Sequence, residues 1–173
     1  MNITFIKSNE KKRILEKLRE TYGIEKLPYL LISSGKDKVR GFSGSLSKEE
    51  ILKLNQVLRI ETLGTYLLKK EKDGLRLSFD VPTILDIKKN IIEVSDEQTQ
   101  DWLKGKNIEI NQNVRNAGMD CISEHPKIPK NKQEFFDLKG FVVLKNKENF
   151  VGCGKASDKR ITNFVPKERR IRS

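Results

Sequence analysis

Four groups of residues have types and spacings that chemistry can use. Gly152-Cys153-Gly154-Lys155-Ala156-Ser157 combines the glycines and lysine of a phosphate-cradling loop. A P-loop, however, sets four residues between its first glycine and a Gly-Lys-Ser/Thr that opens a helix. Here the spacing differs, Ala156 stands where the hydroxyl belongs, and strand-like sequence flanks the stretch. The glycines read instead as places where two strands pass closely. Cys121 lies four residues before His125, the single histidine. A cysteine nucleophile needs a base within hydrogen-bond reach, and no nucleophile or oxyanion motif surrounds this pair. Cys121 and Cys153 read as small apolar side chains and His125 as a loop residue. Asp86, Glu93, Asp96 and Glu97 can be assembled on paper into a carboxylate pair. Asp96 and Glu97 open a helix, where negative charge complements the dipole, and that role is preferred. No metal, cofactor or catalytic residue is expected.

The fourth group is cationic. The 173 residues carry 35 Lys+Arg against 24 Asp+Glu, a net charge of +11. Such an excess bears on partners, not on fold. A surface dense in both Lys and Glu gives similar totals in thermophiles, but nucleic acid is the commonest polyanion for a basic chain to meet. Residues 139–173 hold ten of the cations (Lys139, Lys145, Lys147, Lys155, Lys159, Arg160, Lys167, Arg169, Arg170, Arg172) and three acids (Glu148, Asp158, Glu168). The arginines cluster at the end, where a planar guanidinium fork suits phosphate oxygens. Hydrophobic residues are 36% and charged residues 34%, enough for a modest core under a charged surface. No apolar run approaches a membrane span, no secretion signal opens the chain, and the two cysteines form no CxxC pair. A cytoplasmic protein is expected.

The elements that must position these groups follow from periodicity. Ile14, Leu15, Leu18 and Tyr22 predict a helix over residues 9–22, stopped by Gly23. Leu27-Pro28-Tyr29-Leu30-Leu31-Ile32 reads as a buried strand closed by Ser33-Ser34-Gly35, and residues 41–45 as turn. Ser47 and Glu50 have capping-box spacing ahead of an apolar stripe of Ile51, Leu54 and Leu58. Residues 65–68 and 75–79 form a hairpin turned by Asp73-Gly74. Pro82 and Lys88-Lys89-Asn90 mark a boundary, dividing the chain into domains over 1–88 and 89–173. Beyond it come a strand at 91–94, a helix at 96–104 capped by Ser95 and Gln98 and ended by Gly105, and a strand at 107–110. Trp102 belongs to the core. Residues 111–134 read as a long loop, with Phe135-Phe136 anchoring its end or marking a partner-binding spot. Three strands at about 140–145, 149–155 and 160–165 finish the chain. Many short strands around one small helix suggest a closed or nearly closed barrel, which leaves few open edges.

The C-terminal order Gly140-Phe141-Val142-Val143-Leu144, Phe150-Val151-Gly152-Cys153-Gly154-Lys155, Arg160-Ile161-Thr162-Asn163 and Pro166-Lys167-Glu168-Arg169-Arg170 resembles the end of a PUA domain. More narrowly it is similar to the PUA-like C-terminal region of RsmF-type (Fmu/Sun) rRNA cytosine methyltransferases. Trp102-Leu103-Lys104-Gly105-Lys106 resembles that family's Leu-Arg-Gly helix end, and Gly64-Thr65-Tyr66-Leu67 with Phe79-Asp80-Val81-Pro82 the adjoining pre-PUA region. The resemblance implies an α+β chain: a small pre-PUA α/β domain, then a PUA-like pseudo-barrel whose short helix, following loop and last strand face RNA. It carries RNA binding onto Lys104, Gly105, Lys106, Lys155, Lys159, Arg160 and Asn163, with Lys167, Arg169, Arg170 and Arg172 extending the surface. The residues upstream leave no room for the methyltransferase's cofactor-binding domain.

The expectation is therefore a non-catalytic RNA-binding protein acting on rRNA or tRNA in ribosome biogenesis or RNA modification, with a methyltransferase or another assembly protein as a possible companion. Lysine and arginine neutralise phosphates and release counterions, and glycine lets backbone approach sugar-phosphate closely. Asn163 suits a base edge or a ribose hydroxyl as well as it suits a turn cap. Two other readings stand beside this one: an RNA-processing enzyme that uses the barrel as its grip, and an interaction module for an acidic protein.

Overall fold

Two antiparallel-rich sheets organise the chain, each with its own helical cover. The structure, a computed structural model, describes residues 3–109, 140–157 and 159–171. Contacts divide the chain into Met1–Lys89 and Asn90–Ser173. The loop expected at 111–134, Phe135-Phe136, Cys121, His125, Asp158 and Arg172 lie outside the described residues. Among those described, no helix is long and apolar enough to cross a membrane.

The first unit holds β1 (Thr4–Phe5), α1 (Ser8–Tyr22), β2 (Leu30–Ser34), β3 (Lys38–Phe42), α2 (Lys48–Val57), β4 (Thr65–Glu71) and β5 (Gly74–Leu77). Its sheet runs β1-β2-β3-β4-β5, antiparallel throughout. Helix α1 buries Ile14, Leu18 and Tyr22. It ends because Gly23 takes φ +69°, letting its N–H reach the Arg19 carbonyl while the Ile24 N–H reaches that of Leu18 at 3.4 Å. The buried Tyr22 hydroxyl donates to the Leu75 carbonyl at 2.7 Å, tying α1 to β5. The Lys88 and Lys89 N–H groups close the unit on the Tyr22 carbonyl.

Several expectations change here. The strand expected at 27–32 begins at Leu30 and runs through Ser33 and Ser34. Strand β3 replaces part of the expected turn, with Gly41 inside the sheet, where a Cβ would meet Leu67 Cδ1 at 2.5 Å. The β4–β5 turn centres on Lys72-Asp73, and Gly74 is the first strand residue, paired with Glu71. The Ser47–Glu50 capping box forms as spaced. Of the stripe behind it only Ile51 is buried, in a cluster with Ile3 and Ile32, whereas Leu54 and Leu58 stay 38% and 58% exposed. Helical spacing marks a face and does not supply the element that covers it.

The second unit holds β6 (Ile91–Glu93), α3 (Asp96–Leu103), β7 (Ile108–Glu109), β8 (Gly140–Asn146), β9 (Asn149–Ala156) and β10 (Arg160–Asn163). Ser95 and Gln98 form the expected capping box on α3. Among the described residues the ladder runs β6-β8-β9-β10-β7, with β6 parallel to β8 and the rest antiparallel. Among the described residues β6 and β7 stand at its ends, so it is a curled half-barrel. The last strand stops at Asn163, short of the expected 165. Trp102 is fully buried, and its indole N–H donates to the Val151 carbonyl at 2.9 Å. Gly154 makes room for it: a Cβ there would lie 2.8 Å from Trp102 Cη2 and 2.6 Å from Ile161 Cγ2. Gly154, one of the glycines that superficially suggested a phosphate loop, thus serves close packing on a strand.

Candidate nucleic-acid interface

The edge at the end of α3 is assembled by one side chain, Asn163. Its Nδ2 donates to the Trp102 carbonyl at 2.7 Å and to the Lys106 carbonyl at 2.8 Å. Its Oδ1 accepts from the Val165 N–H at 2.8 Å, and its own N–H donates to Asn107 Oδ1 at 2.9 Å. The last turn of α3, the turn into β7 and the segment after β10 are therefore held together. Because both amide ends are committed to the protein, Asn163 positions this edge and has little left to offer a base. Asn107 was not singled out from sequence, and its partner lies 56 residues away.

A C-terminal strap then crosses the same edge. The Ile171 N–H donates to the Leu103 carbonyl at 3.0 Å, and Arg170 Nε to the Val165 carbonyl at 3.1 Å. The Arg170 guanidinium covers Gly105, which sits at φ +91° with its Cβ position 2.6 Å from that group. Any other residue at 105 meets both the left-handed backbone penalty and this contact. Lys167 and Arg169 flank it in a short 3₁₀ turn, Lys167–Arg169, and are exposed. Lys104 caps α3 and is exposed as well. Five cations (Lys104, Lys106, Lys167, Arg169, Arg170) thus come to one edge, against Asp101 and Glu168. Lys106 Nζ pairs with Asp101 Oδ1 at 2.8 Å. That hydrogen bond, with charge from Lys106 and Lys104, holds the Asp101 carboxyl below the ordinary aspartate value. Both partners are more than half exposed, so the pair is weak enough to open for a phosphate.

The remaining cations lie elsewhere on the sheet. Gly154 faces Trp102 and pairs with Asn163, so by strand alternation Lys155 and its partner Thr162 point to the opposite face. Arg160, two residues from Thr162, shares that face and stands across from Glu109, while Lys159 is exposed in the turn before it. Lys155 Nζ lies 5.7 Å from the Phe141 ring centroid. The expected single surface is therefore two groups, an α3 edge and an outer-face set, with Arg172 outside the described residues.

The other chemistry weighed in the sequence finds different partners. Asp96 bonds Lys147 Nζ and Asn146 Nδ2, both at 2.9 Å, and these bonds hold its carboxyl below the ordinary value. Asp86 faces Lys88 at 3.5 Å. Cys153 is buried on β9. Among the described residues no group of His, Cys, Asp and Glu has the arrangement to hold a metal.

Comparison with known proteins gives one family match, within the second unit, and one fold likeness over nearly the whole chain. Residues 89–171 match the family model described as "Methyltransferase RsmF PUA domain". This stretch, just under half of the chain, thus resembles a PUA domain. The fold of the chain is also similar to a solved structure described as a conserved PUA domain protein from Thermoplasma acidophilum, at 16% identity, a TM-score of 0.58 and 96% coverage of each chain. No curated protein matches the chain significantly. PUA domains bind RNA in RNA-modification families. Among the described residues no methyltransferase catalytic domain is evident.

Proposed function

We propose that the protein is a non-catalytic RNA-binding protein whose PUA domain grips rRNA or tRNA at the α3 edge, in ribosome biogenesis or RNA modification in the cytoplasm. The first unit takes the place of a pre-PUA domain, and a methyltransferase or another assembly protein supplies any chemistry. The observation that carries this reading is the convergence at Gly105. Asn163 and the strap fix the backbone turn at Gly105, and five cations gather at the same edge. Phosphate contacts from Lys and Arg position such a protein on folded RNA. Lys155, Lys159 and Arg160 form a flanking set for the same RNA.

The test replaces the exposed cations and leaves the structural Arg170 in place. Lys104→Glu, Lys167→Glu and Arg169→Glu combined should weaken binding of the full chain to a tRNA at least about tenfold near 0.1 M salt, as the loss of several phosphate contacts demands. The slope of log K against log salt should shrink by about 0.7–0.9 for each contact removed. Unchanged affinity and slope in a folded triple variant overturn the assignment.

A further inference from the structure

The open face of the N-terminal sheet carries a feature that the PUA domain does not use. Lys38, Lys69 and Arg76 stand directly opposite one another across β3, β4 and β5. Neighbouring strands lie about 4.8 Å apart, so the three cations form a row about 10 Å long. Like charges directly opposite one another destabilise a ladder. Glu71 Oε1 reaches two of them, Lys69 Nζ at 3.0 Å and Arg76 Nε at 3.4 Å. One carboxylate leaves the row net cationic.

A backbone irregularity brings an aromatic ring to the same place. The pairing steps from Val39↔Leu68 to Arg40↔Tyr66, so Leu67 is the extra residue of a bulge. Strict alternation puts residues 66 and 69 on opposite faces. The bulge instead turns Tyr66 toward the cations, while Leu67 and Leu68 are both buried. Lys38 Nζ lies 5.7 Å from the Tyr66 ring centroid. Partial burial raises the pKa of the Tyr66 hydroxyl, against the pull of Arg76 and Lys69 beside it. The cluster remains open to solvent: Lys38 is exposed, and the side chains of Lys69 and Arg76 are 30% and 23% exposed.

A row of repelling cations with a ring turned into it by a bulge works against the sheet locally, and such departures concentrate at functional sites. We infer that this face is a second polynucleotide site, which takes single-stranded RNA: a base stacks on Tyr66 and its flanking phosphates lie along Lys38, Lys69 and Arg76. Only an unpaired base offers its flat face to a ring mounted on a sheet, and aromatic platforms among cations are how single strands are held. Lys38 then moves off the ring toward phosphate, because base stacking outweighs an exposed cation–π contact. An acidic peptide has use for the cations but none for the ring. The site involves none of the residues of the α3 edge and stands or falls separately from it.

The experiment uses the full chain and a fluorescein-labelled twelve-nucleotide oligouridylate, followed by anisotropy at low salt. Tyr66→Ala should weaken binding about five- to a hundredfold, the measured range for one lost base stack, and Tyr66→Phe should restore most of it. Lys38→Gln with Lys69→Gln should lower the salt slope by about 1.4, at about 0.7 for each single-strand phosphate contact. Crosslinks from a 4-thiouridine version should fall within residues 38–42 and 65–79. A folded Tyr66→Ala variant that binds within twofold of the parent, or crosslinks that fall elsewhere, overturn the proposal. Decaglutamate competing equally well against parent and Tyr66→Ala overturns it in favour of an acidic protein. If Tyr66→Ala loses its cooperative melt, the exposed Lys38→Glu takes its place: a loss of at least about threefold supports the site, given the phosphate contribution to affinity, and no loss overturns it.

Discussion

Asn163→Ala separates a residue that holds the RNA-facing edge together from one that touches RNA. The side chain makes three hydrogen bonds, to the carbonyls of Trp102 and Lys106 and from the N–H of Val165, at 2.7, 2.8 and 2.8 Å. A net value near 1 kcal/mol each, with the partners partly exposed and able to find water, puts the loss at about 2–3 kcal/mol. With a urea m-value of about 1.5 kcal/mol/M for a unit of this size, the midpoint should fall by about 1.3–2 M. The chain's one tryptophan, Trp102, is buried in the same unit and bonded at its indole N–H to Val151, so its fluorescence reports the transition directly. Asn163→Asp is the sharper probe. It keeps Oδ1 as an acceptor for Val165 but turns a carboxylate toward two carbonyls, and should destabilise at least as much as alanine. RNA binding should weaken in both variants with the salt slope unchanged, because no phosphate contact has been removed. A midpoint within 0.3 M of the parent together with a large fall in affinity refutes the positioning role and makes Asn163 a direct contact.

Gly105→Ala should cost about 1–3 kcal/mol, since it strains a residue held at φ +91° and drives a methyl group into the Arg170 guanidinium. Trp102-monitored unfolding checks this, and Arg170→Ala in the same chain should recover the contact part of the loss as non-additivity. Asp96 should titrate below the ordinary aspartate value of 3.8, and Lys147→Ala should move it up, because the Lys147 hydrogen bond is the largest cause of the depression. A carboxyl depressed in the folded state adds stability above its unfolded pKa and loses it as pH falls through the folded value. The Lys147→Ala chain should therefore lose its pH-dependent advantage between those values. An unchanged side-chain NMR titration refutes the pairing.

What the sequence made legible is local. The Ser47–Glu50 and Ser95–Gln98 capping boxes and the Gly23 helix stop are written within three or four residues, and each forms in the structure. Strand β3 was hidden because Lys38-Val39-Arg40-Gly41-Phe42 carries two cations and a glycine, features that read as turn until neighbours on both sides pair with it. Leu54 and Leu58 have core spacing and no core to meet, since periodicity records a face and not what lies against it. The indole of Trp102 needed Gly154, 52 positions away, and nothing near either residue announces the pairing.

The candidate site divides along the same line between local and distant. Composition alone placed the cations late in the chain, but the parity of one strand decides which of them can act together. Gly154 faces Trp102, so Asn163 joins the α3 edge while Lys155 and Arg160 turn away from it. A residue inserted in β10 between Thr162 and Asn163 would turn Asn163 away from the α3 edge, because one step of register exchanges the faces of a strand. The Tyr66 bulge applies the same rule on the other sheet: one extra residue, Leu67, moves a ring from the buried face to a row of cations. In both units the chemistry follows from counting residues along a strand, and pairing partners far away in sequence set where the count begins.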